Sequence, residues 1–141
     1  MWYYKGFEIT LLSQIPEEAF GFTYCITNLS SGKKYIGKKQ LIFSRRTKIS
    51  KKEQIETNNK RKKYKIVSKE SDWLSYCGSN INLLEDIKKG DKIHKEILEF
   101  YYSNRALTYA ETKLLFVLGC IETDEYYNNN ILSKFYSGKI T

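Results

Sequence analysis

Residues 21–39, GFTYCITNLSSGKKYIGKK, constrain this chain more than any other stretch. Tyr24 lies in a short run of β-type residues, and Tyr35 opens the triplet Tyr35-Ile36-Gly37 eleven positions later. Between them, Asn28-Leu29-Ser30-Ser31-Gly32 supplies the turn chemistry that closes a hairpin. Side chains on one face of a strand recur at every second position. A hairpin over residues 22–27 and 34–37 therefore places both phenols on one side of one small sheet. Arg45 follows ten residues after Tyr35, where the next element should begin.

A chain of 141 residues is most economically one domain, spanning 1–141. Its aromatic share of 15% is too high for a disordered chain and its apolar share of 41% is enough for a packed core. No stretch approaches the length of a membrane span. Residues 1–5 lack the apolar centre of a signal peptide. The expectation is a cytoplasmic protein with no membrane partner. Cys25, Cys77 and Cys120 are far apart, odd in number and without CxxC spacing, which argues against a disulfide framework and a structural zinc site.

The net charge of +8 is concentrated in one place. Residues 44–69 hold eleven basic and two acidic side chains, a local charge of +9, and the rest of the chain sums to −1. A polyanion is the natural partner of such a cluster, and a solvated loop kept soluble by its charge is the alternative.

Along the chain, residues 2–12 read as a strand or hairpin arm. Residues 40–52 contain no Gly or Pro and read as the start of a helix, with Leu41, Ile42 and Arg45 on neighbouring turns. The basic run 61–67 reads as a strand or an extended insertion. Trp73 and Tyr76, three apart, share one face of a helical turn. Ser79 or Asn80 caps a helix over 82–89 whose apolar stripe is Leu83, Leu84 and Ile87, with Gly90 as its stop. Residues 92–102 read as the third strand of the sheet. Thr108 to Glu111 has the pattern of a capping box and predicts a helix over 109–118 that buries Ala110, Leu114 and Leu118.

Hydrolysis of a phosphodiester requires that a water lose a proton and that charge on the phosphate and the leaving oxygen be neutralised. The one histidine, His94, falls in a predicted strand and reads as structural. There is no dense Asp/Glu cluster of the two-metal kind. If this chain cuts nucleic acid, tyrosines, cations and one carboxylate carry the work.

In this respect the chain resembles the GIY-YIG nuclease family. Its pattern is a GIY triplet, a hairpin turn, a YIG triplet, an arginine on the next helix, a glutamate on a later helix and an asparagine near the end. Here Phe22-Thr23-Tyr24 keeps only the tyrosine of the first triplet, and Tyr35-Ile36-Gly37 is intact. Arg45, Glu111 and Asn128 follow in order. The chain is similar to a compact branch found in phage genomes, with Lys38-Lys39 after the second triplet, a Trp-x-x-Tyr-x-Gly-Ser segment at 73–79 and Tyr126-Tyr127-Asn128 near the end.

The resemblance implies an α/β (α+β) fold, with a central, mostly antiparallel three-stranded sheet flanked by helices and a basic insertion at about 44–69. It implies hydrolysis of double-stranded DNA with Mg²⁺ or Mn²⁺, leaving 5′-phosphate and 3′-hydroxyl ends. Tyr24, Tyr35, Arg45, Glu111 and Asn128 become the catalytic candidates, with Arg46 a competitor for Arg45 and Asn129 or Asn130 for Asn128. Adjacent cations such as Lys38 and Arg45 would favour a phenolate; which tyrosine acts as base stays open. Glu111 is a metal ligand or only a helix cap. Lys38, Lys39, Arg46, Lys60, Arg61, Lys62 and Lys63 are candidate phosphate contacts. Trp73 and Tyr76 either stack on nucleic acid or anchor the core. A free-standing phage-type homing endonuclease is the leading context. A restriction-type homodimer and a non-catalytic nucleic-acid-binding module are the alternatives. With no separate DNA-reading domain, specificity would come from residues 44–69, from a dimer or from a partner protein.

Overall fold

The computed structural model describes residues 1–56, 58, 61 and 63–138, and the side chain of Arg45 lies outside that description. Among the described residues the strands are β1 (Trp2–Tyr4), β2 (Phe7–Ile9), β3 (Gly21–Asn28), β4 (Lys34–Gln40), β5 (Ile42–Lys48), β6 (Tyr64–Glu70), β7 (Ile93–Tyr101), β8 (Asn130–Ile131) and β9 (Phe135–Tyr136). The α-helices are α1 (Lys51–Glu56), α2 (Ile81–Lys88) and α3 (Asn104–Val117). The chain divides into two compact units, Met1–Leu41 with Asp72–Thr141, and Ile42–Ser71.

The first unit is built on a five-stranded sheet in the order β2-β1-β7-β3-β4. Its strands β7, β3 and β4 run antiparallel as expected. The sheet has five strands, not three, because residues 2–9 fold into a hairpin that joins it. Lys5 and Gly6 both take positive φ (49° and 85°), which gives a tight turn. β1 then lies parallel to β7, and Trp2 is fully buried. Its indole Nε1 donates to the carbonyl oxygen of Trp73 at 2.7 Å, and its ring meets Phe22 and Tyr24 edge-on at 5.0 and 5.3 Å. Interior strand β3, between β7 and β4, shows little of the alternation of a half-exposed strand, because both faces are covered. On one face Cys25, Ile36 and Leu98 meet Leu114 and Leu115 of α3.

Helix α3 begins at the Ser103 cap, whose hydroxyl accepts from the Ala106 amide, and not at Thr108. The earlier start puts Leu107 on the buried stripe with Ala110 and Leu115. Helix α2 is capped by Asn80, which accepts from the Leu83 amide at 3.1 Å. His94 lies on β7, stacked on Tyr3 at 5.0 Å.

The second unit pairs β5 with β6 antiparallel, Arg45 opposite Val67 and Arg46 opposite Ile66. The predicted helix over 40–52 is therefore a strand followed by the short α1. The reason is non-local: Ile42–Lys48 pairs with Tyr64–Glu70, from Lys48 opposite Tyr64 to Ile42 opposite Glu70, a signal no local window contains. Among the described residues no helix is long and apolar enough to cross a membrane.

Candidate active site

The hairpin register explains the tyrosine pair. Tyr24 lies opposite Gly37, so Tyr35, two residues from Gly37, shares its face. The two rings are 6.1 Å apart. Tyr24 is 1% exposed, and its ring fills the space above Gly37, where a Cβ would overlap its hydroxyl. Tyr76 meets Tyr24 edge-on at 6.1 Å. A bulge displaces the β3–β7 register between Thr23 and Tyr24, beside the site.

Tyr35 opens into a cleft of about 420 Å³ that Glu111 and Asn128 also line. Three candidates scattered along the sequence thus converge at the edge strand β4. The Tyr35 hydroxyl shares a hydrogen bond of 3.2 Å with that of Ser79. Beneath the ring lies Gly78, whose φ of +90° and lack of a Cβ both suit that position. The first turn of α2, Ile81 and Asn82, lines the same cleft and brings a helix N-terminus, which favours anions, to its wall.

Asn128 holds the strand. Its Oδ1 accepts from the Ile36 amide at 3.0 Å and its Nδ2 donates to the Ile36 carbonyl at 2.8 Å. The preceding backbone does the same for Lys34, with the Lys34 amide donating to the Glu125 carbonyl at 2.9 Å and the Tyr127 amide to the Lys34 carbonyl at 2.6 Å. The Asn128 amide acts as the next rung of that ladder. Asn129 and Asn130 line the cleft but hydrogen-bond to each other.

Glu111 is the eighth residue of α3, which removes the capping-box alternative. Thr108 does not cap that helix; its hydroxyl accepts from Lys38 Nζ at 2.7 Å. Burial raises the Glu111 carboxyl above its ordinary value, and Lys38 offsets part of that rise through its charge and its backbone amide. Burial also raises both phenols. Tyr24 is pushed well above its ordinary value with further contributions from Tyr35 and Tyr76, and Tyr35 is raised less, against a lowering hydrogen bond from Ser79. Among the described residues burial outweighs any favourable charge at the two phenols, where the sequence pointed to a phenolate favoured by Lys38 and Arg45; the Arg45 side chain lies outside the description.

The remaining candidates are dispersed. Arg45 belongs to strand β5 of the second unit, not to a helix, and among the described residues no arginine lines the cleft. Arg46 carries its guanidinium 4.5 Å over the Tyr64 ring. Arg61 and Lys63 are exposed, and Lys60 and Lys62 lie outside the described residues. Lys39 pairs with Asp72 at 2.6 Å and covers the Tyr76 ring at 4.0 Å. Trp73 is 1% exposed, so it anchors the core and its ring faces are closed to a base. Sequence reasoning passed over Ser79 and Gly78 as site residues, although the Trp-x-x-Tyr-x-Gly-Ser segment contained them.

Among the described residues no group of three or more His, Cys, Asp and Glu forms a metal cluster. The cleft offers hard oxygen donors instead: one carboxylate, the Asn129 and Asn130 amides and the Ser79 hydroxyl. That set suits Mg²⁺, which keeps several waters and needs few protein ligands. The partly offset burial of Glu111 gives a cation something to stabilise.

Residues 2–131 match the family model described as "Putative endonuclease segE, GIY-YIG domain". No curated protein and no solved structure matches the chain.

Proposed function

The chain belongs to the SegE-type GIY-YIG domain family, and on that premise we propose that it is a divalent-metal-dependent endonuclease hydrolysing phosphodiester bonds of double-stranded DNA. The observation that carries the reading is the convergence of Tyr35, Glu111 and Asn128 on one cleft, with Tyr24 packed behind Tyr35.

In this reading Tyr35 is the phenol that meets the attacking water, because Tyr24 is sealed from solvent. Tyr35 Oη first loses its own proton to cleft water, the Ser79 hydroxyl stabilising the phenolate by donating a hydrogen bond, and the phenolate then takes the proton of the attacking water and returns to the neutral phenol. Tyr24 stays neutral and fixes the Tyr35 ring through packing. The α2 N-terminus receives a phosphate oxygen. Asn128 holds Ile36, and so Tyr35, in register. Glu111 would hold Mg²⁺ or Mn²⁺ with its carboxylate, helped by cleft amide oxygens and water. The bound ion supplies Lewis-acid neutralisation of the phosphate and the leaving oxygen. Arg45 is assigned the scissile phosphate by its place in the family pattern alone. The products are 5′-phosphate and 3′-hydroxyl ends. The Lys38-Lys39, 73–79 and 126–128 segments support a phage-type homing endonuclease acting in a cytoplasm.

Supercoiled plasmid incubated with the protein and Mg²⁺ should be nicked or linearised, and EDTA should stop it. Tyr35→Phe and Glu111→Gln should each lower the rate by at least about 100-fold, the scale of a lost acid–base or electrostatic group, and keep DNA binding. Binding without metal-dependent cleavage over varied DNA would overturn the reading and leave a non-catalytic module.

A further inference from the structure

We propose that one face of the β5–β6 ribbon reads base edges in the DNA major groove and gives this nuclease its sequence preference. The partner, DNA, rests on the nuclease reading above; the surface does not.

The register divides the ribbon into two faces. Ser44 lies opposite Ser68, Arg46 opposite Ile66 and Lys48 opposite Tyr64, so these six side chains share one face. Lys65 belongs to the other face and is ion-paired to Glu53 of α1, which places the helix on that side. On the first face the side chains stand in solvent: Ile66 is 74% exposed and Tyr64 50%. Ile66 and Tyr64 thus set apolar surface beside the Arg46 and Lys48 cations on one open face of the ribbon.

The chemistry of this face selects its partner. Arg46 is held over the Tyr64 ring at 4.5 Å, which limits the wandering of its guanidinium fork. A guanidinium fork matches the O6 and N7 acceptors of guanine, and an apolar side chain such as Ile66 matches the thymine methyl. The Ser44 and Ser68 hydroxyls, 3.2 Å apart, can each donate to or accept from a base edge. Lys48 supplies a contact of the phosphate type. Two strands about 4.8 Å apart enter a major groove about 12 Å wide, and the +9 charge of residues 44–69 provides the long-range attraction. Phosphate binding alone would make no use of the apolar Ile66 side chain, whereas a thymine methyl does.

The test uses the full chain in EDTA, where cleavage is stopped. Duplexes are selected from a randomised library and sequenced for the wild type, Arg46→Lys and Ile66→Thr, and affinity is measured for the selected and a scrambled duplex. Arg46→Lys keeps the charge and loses the fork; Ile66→Thr keeps a β-branched side chain. The expected result is a wild-type consensus containing a guanine whose preference Arg46→Lys lowers about tenfold, and a thymine whose preference weakens in Ile66→Thr. An unchanged consensus in both variants, or no wild-type consensus at all, overturns the proposal. Plasmid nicking with Mg²⁺ is read in parallel. Selection without cleavage sinks the nuclease reading and keeps the ribbon; cleavage without selection does the reverse.

Discussion

Asn128 commits both ends of its amide to the two polar groups of Ile36, on the strand that carries Tyr35. Replacement by Ala leaves a buried N–H and a buried C=O without those partners, a cost of about 2–3 kcal/mol by the scale of unsatisfied groups. Asn128→Asp keeps the acceptor but sets a buried, charged carboxylate oxygen against the Ile36 carbonyl, so near neutral pH it should cost at least as much as the Ala replacement. Urea denaturation of the three proteins checks the order. Glu111 makes the opposite prediction. Its folded carboxyl titrates above the ordinary 4.5, because burial disfavours the charge. The stability it contributes is therefore complete below that ordinary value and is lost as pH rises through the folded value. Glu111→Gln, neutral throughout, should melt higher than the wild type at pH 7, and the gap should close as pH falls toward 4.5. A melting series in pH with and without Mg²⁺ tests both roles, since Mg²⁺ should raise the melting point of the wild type and not of the variant.

At the level of elements, the β3–β4 hairpin was legible because its determinants are local. The Asn28 to Gly32 turn and the Tyr35-Ile36-Gly37 triplet mark the hairpin in the local sequence, and Gly37 fits the register it takes. Gly37→Ala would drive a methyl into the Tyr24 ring. The cost should be about 1–3 kcal/mol, typical of overpacking, and the rate of plasmid cleavage should fall with it because Tyr24 backs Tyr35. Stability loss without loss of cleavage would detach Tyr24 from the site. The Asn80 cap of α2 was legible for the same local reason. Strand β5 was not: its residues fit a helix in isolation, and only the distant β6 decides otherwise. The start of α3 was misread because Ser103 and Thr108 are both good caps, and the choice falls to Leu107, whose burial only the tertiary packing reveals. The same shift turns Glu111 from a cap into a mid-helix residue facing the cleft. The stacking role for Trp73 failed because a tryptophan in a sequence carries no mark of which surface will cover it.

The two units of the molecule differ in what holds them. The buried side chains, from Trp2 to Ile131, all belong to the first unit, and among the described residues none within Ile42–Ser71 is buried. An isolated pair of strands is marginal in water without a hydrophobic face to bury. The ribbon is held by its ladder, the Lys65–Glu53 ion pair, the Arg46–Tyr64 contact and the Ser44–Ser68 hydrogen bond. Such contacts contribute modestly each at an exposed surface. The second unit should therefore open while the first stays folded. In native-state hydrogen exchange, the amides of β5 and β6 should exchange at least about 1,000-fold faster than those of β3 and β7, a gap of roughly 4 kcal/mol in opening free energy. Added duplex DNA in EDTA should slow exchange in β5 and β6 selectively, since a ligand that requires the ordered ribbon stabilises it by mass action. Equal protection in the two units would show that Ile42–Ser71 shares the cooperative fold of the first. Protection by DNA confined to β3, β4 and α2 would place the duplex on the first unit alone.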